Sequence, residues 1–181
     1  MLLVLLGACR VERGDRARHY ALGRPATPGE IAARDVDVGP DGAGLPRGHG
    51  SASEGTAIYA KQCAACHGAN GEGIAPYPRL VGRDPAAEGF GFGRDPRLVR
   101  TIGNYWPYAT TVFDYIRRAM PQNAPGSLSD DEVYAVTAYL LAANQIVPAG
   151  TTLDSASLAA VKMPAAGRFV RDDRKGGREV R

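Results

Sequence analysis

The apolar positions of this chain fall into helical periods and nowhere into sustained alternation. From 51 to 66, Ala57, Ile58, Ala60 and Cys63 recur at helical spacing, behind Ser51 or Ser53 as N-cap. Asp95-Pro96 opens a predicted short helix through Ile102, stopped by Gly103. A further helix is predicted from about Pro107 to Ala119, ending before Pro121, because the residue preceding a proline avoids the helical region. Ser129-Asp130-Asp131-Glu132 is a capping box for a helix to about Asn144, with Val133, Val136, Tyr139 and Leu140 on one face. Upstream, Thr27-Pro28-Gly29-Glu30 fits a short capped helix, with Pro28 at its first position. No period-2 run of useful length occurs, so no sheet is expected and the predicted class is all-α.

Between these segments the chain is rich in breakers. Residues 10–52 hold few large apolar side chains and include Gly39-Pro40-Asp41-Gly42-Ala43-Gly44-Leu45-Pro46, which reads as an irregular arm. Residues 68–93 read as loop. Residues 147–181 show no periodicity and are expected to form an extended tail. The expected organisation is a leader remnant at 1–8, an irregular arm at 9–50, a helical domain at 51–146 and a C-terminal tail at 147–181.

Charge refines this division. The net charge is +3, from 22 Lys+Arg and 19 Asp+Glu. Residues 1–34 and 167–181 are each basic (six basic against three acidic), whereas 35–166 is acidic (ten against thirteen). Such ends are solvated tails or docking arms for an acidic partner or membrane surface. The chain lacks the coherent basic surface of a nucleic-acid binder. The apolar run Leu2–Cys9 is far shorter than the roughly 20 residues of a membrane span. It resembles the end of a secretory leader, and Leu6-Gly7-Ala8-Cys9 resembles a lipoprotein cleavage box. Cys9 is therefore either a lipid anchor or an incidental cysteine after an ordinary signal peptide.

The remaining two of the three cysteines lie in Cys63-Ala64-Ala65-Cys66-His67. Cys-x-x-Cys-His is the attachment signal for a c-type haem. Two thiols one helical turn apart match the two vinyl groups on one porphyrin edge, and the adjacent histidine lies under the iron as proximal ligand. A thioredoxin-like motif would need a preceding strand in βαβ context, and a zinc knuckle would need two further ligands; the sequence offers neither in good context. One such motif means one haem. Because haem c is attached outside the cytoplasm, the motif also points to export.

The second axial ligand comes from Met120, Met163, His19 or His49. Met120 is preferred. It sits in Arg118-Ala119-Met120-Pro121, between two helices, where an extended backbone lets the thioether reach across the haem. Met163-Pro164 follows the last predicted helix, and either methionine can instead be apolar filler. Trp106 either donates its indole N–H to a haem propionate or walls the pocket. Arg79 either pairs a propionate or faces solvent. Arg117-Arg118 either rims a docking surface or complements a helix dipole.

The pattern over roughly 51–146 resembles the class I cytochrome c fold: Gly55 and Tyr59, the Cys63–His67 motif, Pro78-Arg79-Leu80-Val81-Gly82, Met120 and Tyr139. The resemblance implies four to five helices around one covalent haem. It also implies that the first and last helices cross at Gly55, Tyr59 and Tyr139, and that the Pro78 carbonyl accepts a hydrogen bond from His67. A narrower resemblance is carried by Thr101–Pro121, by Asn123-Ala-Pro-Gly-Ser-Leu-Ser-Asp-Asp-Glu-Val-Tyr-Ala and by Tyr20-Ala-Leu-Gly-Arg-Pro-Ala-Thr-Pro-Gly-Glu-Ile. It is to the cytochrome subunits of bacterial molybdenum-dependent sulfite or sulfane dehydrogenases. It implies a periplasmic electron-transfer subunit, rather than a catalyst alone, that takes electrons from a molybdopterin subunit and passes them to another cytochrome c. The alternatives are a free-standing carrier to a terminal oxidase, and a haem enzyme or sensor with an open axial position.

Overall fold

The computed structural model describes residues 23–83 and 90–170. The expectations for the leader, Cys9 and His19 lie outside them. The chain divides into two compact units, Met1–Asp35 and Val36–Arg181. In the first unit, α1 spans Pro28–Ala32. Thr27 accepts the Glu30 N–H, and the Glu30 carboxylate accepts the Thr27 N–H at 2.8 Å, which is the predicted capping box. The Arg24 guanidinium, and then Thr27, hold the Glu30 carboxyl down to about 2.

The second unit contains β1 (His49–Ser51), α2 (Ala52–Gln62), α3 (Ala64–His67), α4 (Ala109–Ala119), α5 (Asp130–Ala143), β2 (Thr152–Asp154) and α6 (Ser155–Ala159). Ser51 with Glu54 and Ser129 with Glu132 form capping boxes at α2 and α5. The side chain and backbone of each cap satisfy donors that the first helical turn leaves without partners.

Helix α5 is the centre of the unit. Its predicted one-sided face proves too narrow, because Val133 through Ala138, Leu140 and Leu141 are all buried. A helix buried all round needs cover on every side, and α2, α4 and β1 supply it. Helix α2 crosses α5 at Gly55, where a Cβ would lie 2.0 Å from the Ala135 carbonyl oxygen, so only glycine permits the approach. One turn on, the Tyr59 and Tyr139 rings meet at 4.8 Å, as the resemblance implied. Helix α4 buries Ala109, Val112, Phe113 and Ile116 on one stripe. Phe113 packs on Tyr134 at 4.5 Å between ring centroids.

Three expectations are corrected. No helix forms over 95–102; Gly91–Gly93 is a 3-10 turn, and residues 96–98 form a turn. There the Asp95 carboxylate accepts the Arg97 N–H at 3.0 Å and binds the Arg97 guanidinium, so a local side-chain bond replaces the helical ladder. The segment after 146 is no extended tail over its described part. Strand β2 pairs antiparallel with β1, with Gly50 opposite Leu153, and Leu153, Leu158, Met163 and Ala165 are buried. These apolar residues belong to a strand, a helix and a turn in succession, so they share no period. The three-residue strands add a small sheet to an otherwise helical unit, which corrects the strictly all-α expectation. Residues 36–48 form no regular element, but they are tied to the helices. Asp114 accepts the Val38 N–H at 2.9 Å, and Tyr134 donates to the Pro46 carbonyl at 2.8 Å. Six helices occur among the described residues, against four or five expected. None of them is long and apolar enough to cross a membrane.

Candidate haem-binding site

The site begins where α2 ends. Cys63 caps α2, its N–H donating to the Tyr59 carbonyl, and the chain then makes one more turn as α3. The Cys66 N–H and His67 N–H both donate to the Cys63 carbonyl, at 3.1 and 3.0 Å, so the two thiols lie on a single turn. Both are free and half-buried. Burial, with a smaller contribution from Cys66, pushes the Cys63 thiol up to about 11, so it is protonated at neutral pH. Gly68 ends the turn with φ +81°, a conformation natural to glycine.

His67 is held at both ends. Its Nδ1 lies 2.8 Å from the Pro78 carbonyl oxygen. A carbonyl only accepts, so Nδ1 carries the proton and Nε2 keeps its lone pair for a metal. The His67 carbonyl accepts the Gly73 N–H at 2.7 Å. Behind it, the buried Tyr59 hydroxyl donates to the Gly68 carbonyl at 2.9 Å. Tyr77 stands edge-on to the imidazole, with ring centroids 6.3 Å apart.

Met120 occupies the C-cap of α4 in extended conformation (φ −123°, ψ 148°), half-buried against the core. Met163 is buried at 5% exposure among core residues, the place of an apolar filler. The Trp106 indole N–H donates to Thr111 Oγ1 at 2.8 Å, and its ring meets Tyr115. That hydroxyl is the polar partner an indole N–H needs. Arg79 turns back on its own chain, Nε donating to the Val81 carbonyl at 2.6 Å. Arg117 pairs with Asp130 and Arg118 with Asp114. Both arginines line a groove with Val36, Leu128 and Asp130, which contains none of the predicted haem residues. His49 is an exposed residue of β1.

Two residues went unread in the sequence. Asn144 Oδ1 accepts the Gly82 N–H at 2.9 Å, and Thr101 Oγ1 donates to the Gly82 carbonyl. Both hold the loop that presents the Pro78 carbonyl. In the sequence Asn144 signals only a helix end, and its partners lie 62 and 64 residues earlier. Among the described residues no cluster of three or more His, Cys, Asp or Glu groups is suited to a metal ion, and the strands form no βαβ unit. The donor set of two free thiols on one turn, an imidazole with its Nδ1 committed and a thioether at a helix end fits a covalently held haem.

The family described as Cytochrome C oxidase, cbb3-type, subunit III matches residues 50–140. The chain belongs to this family of c-type cytochromes. The cytochrome therefore carries haem c and works in electron transfer. Among solved structures it is similar to a chain of the sulfane dehydrogenase SoxCD from Paracoccus pantotrophus. The identity is 44%, the TM-score 0.73, and the match covers 86% of this chain and 73% of that one. A chain of thiosulfate dehydrogenase (TsdBA) from Marichromatium purpuratum, in its as-isolated form, matches at 27% identity and a TM-score of 0.36, covering 54% and 20% of the two chains. No curated protein matches the cytochrome. The implied resemblance to the cytochrome subunits of sulfite or sulfane dehydrogenases has its structural counterpart in the sulfane dehydrogenase chain.

Proposed function

We propose that this cytochrome is a periplasmic single-electron carrier with a His/Met-ligated haem, serving a molybdenum sulfite or sulfane dehydrogenase subunit and delivering to another cytochrome c. Cys63 and Cys66 hold the haem through thioether bonds. His67 Nε2 and the Met120 sulfur would be the protein's ligands to its iron. The bound haem supplies a one-electron Fe(III)/Fe(II) couple, and thioether ligation raises its potential. With both ligands in place, the iron would exchange electrons rather than bind a substrate. The work of the polypeptide is therefore to hold, orient and shield. The Pro78 carbonyl fixes the His67 ring and raises its basicity, and Trp106 and Tyr59 serve as walls of the pocket. Arg79 stays with its own backbone.

The observation that carries the ligation reading is the His67 Nδ1 contact to Pro78 on the same turn as two free thiols. The partner reading rests on 44% identity, over most of the chain, to a component of a sulfane dehydrogenase structure. Export follows from haem c attachment outside the cytoplasm. Cys9 then either anchors the protein to a membrane or is incidental to an ordinary signal peptide.

The partner reading is tested by affinity purification from the native periplasm, followed by addition of sulfite or a sulfane-sulfur donor. A molybdopterin subunit should co-purify, and the haem should be reduced within the mixing time of a stopped-flow experiment. Purification without that subunit, with reduction only by other donors, would favour the free-standing carrier.

A further inference from the structure

We infer that Asn144, at the C-terminal end of α5, is a positioning residue for the His67 imidazole and acts through the backbone of residues 78–82. The inference rests on the reading of His67 as axial ligand. The Pro78 carbonyl sets the ring orientation, yet Pro78 is exposed and has no N–H with which to anchor itself. Its position depends on what holds the residues that follow. Leu80 and Val81 donate their N–H groups to the Gly71 carbonyl, at 2.8 and 3.0 Å. Beyond that tie, the loop is braced from α5. The Leu80 carbonyl accepts Asn144 Nδ2 at 3.3 Å, and Asn144 Oδ1 accepts the Gly82 N–H at 2.9 Å.

Asn144 is 1% exposed, and its carboxamide uses both its donors and its acceptor, since Nδ2 also donates to the Leu140 carbonyl at 2.8 Å. Helix capping does not require this reach. The backbone N–H of Asn144 already meets Leu140, and Leu80 and Gly82 belong to a different part of the fold. Two further features serve the same loop. Thr101 Oγ1 donates to the Gly82 carbonyl, and the Ile102 N–H donates to the Leu80 carbonyl at 3.1 Å. At Gly103 a Cβ would sit 2.4 Å from Asn144 Oδ1 and 2.6 Å from the Gly82 oxygen, so glycine leaves room for the brace. Helix α2 leads into the turn that carries His67, and α5, packed across α2, carries the brace. The loop between them closes a rigid circuit around the imidazole, in which fully paired buried polar groups specify one geometry.

A firm bond from Nδ1–H to the carbonyl makes the imidazole a stronger donor and favours the oxidised metal. Loosening the brace therefore raises the reduction potential. The test uses the full-length holo-protein as wild type, Asn144→Ala, Thr101→Val and Val133→Ala. Solvent exchange of the His67 Nδ1 proton is followed by NMR in the reduced state, alongside the potential. Asn144→Ala should speed that exchange at least tenfold and raise the potential. Thr101→Val should move both in the same direction by less. Val133→Ala, a cavity in α5 away from the loop, should lower stability and move neither. If Asn144→Ala yields no folded holo-protein, Thr101→Val decides alone. Wild-type exchange and potential in Asn144→Ala and Thr101→Val would overturn the inference, as would equal shifts in Val133→Ala. If wild-type His67 shows no ring-current-shifted Nδ1 proton, the ligand reading itself fails and the inference with it.

Discussion

Single side chains decide how firmly the haem-binding turn is held. The Tyr59 hydroxyl spans from α2 to the Gly68 carbonyl just past His67. Tyr59→Phe should lose about 1 kcal/mol of stability, the net worth of a typical buried hydrogen bond, as read by chemical denaturation. Asp114 offers a pH test. Burial opposes ionisation of its carboxyl, but the hydrogen bond from Arg118, the Val38 N–H and the nearby arginine charges together outweigh burial and lower its pKa. A depressed folded pKa means that the stabilisation is present above the ordinary carboxylate range and is lost as pH falls through the folded value. Denaturation midpoints measured from pH 7 downward should therefore fall more steeply in wild type than in Asp114→Asn. At neutral pH that variant should be less stable by about 1–3 kcal/mol. At this scale the sequence was legible where chemistry is contiguous. Cys63, Cys66 and His67 are neighbours in the chain, and the structure puts them on one turn as their spacing implied. Asn144 and Thr101 were not legible, because their partners are backbone groups of a distant loop, and a backbone group carries no residue code.

Elements were legible wherever a cap and a stripe coincided. Ser51, Thr27 and Ser129 each begin a helix because serine or threonine followed three residues on by glutamate satisfies the first-turn donors from both sides. Asp95 was misleading. Its carboxylate bonds the backbone two residues on, so a helix-start signal became a turn. The chain beyond 146 was misread because its apolar residues are spread over a strand, a helix and a turn. That correction is testable. Leu158 is fully buried, and Leu158→Ala should cost about 2–5 kcal/mol, whereas in an extended tail it would cost nothing. The α2–α5 crossing gives a second test. A Cβ at Gly55 meets the Ala135 carbonyl, so Gly55→Ala should force the helices apart and cost about 1–3 kcal/mol in thermal or denaturant unfolding.

At the scale of the whole molecule, one motif and one family assignment describe a cytochrome that carries haem c and works in electron transfer. Its work is to accept an electron, hold it at a tuned potential and release it, which suits weak, charge-steered partners. The acidic middle of the sequence, residues 35–166, contains the Cys63–His67 turn, and the basic stretches flank it. The central claim is that the metal is saturated by His67 and Met120. The most direct measurement is the far-red absorption of the ferric holo-protein, where a weak sulfur-to-iron band reports thioether ligation. Wild type and Met163→Leu should show the band, and Met120→Ala should lose it. A wild-type spectrum without the band, or a band that survives in Met120→Ala, would contradict the account.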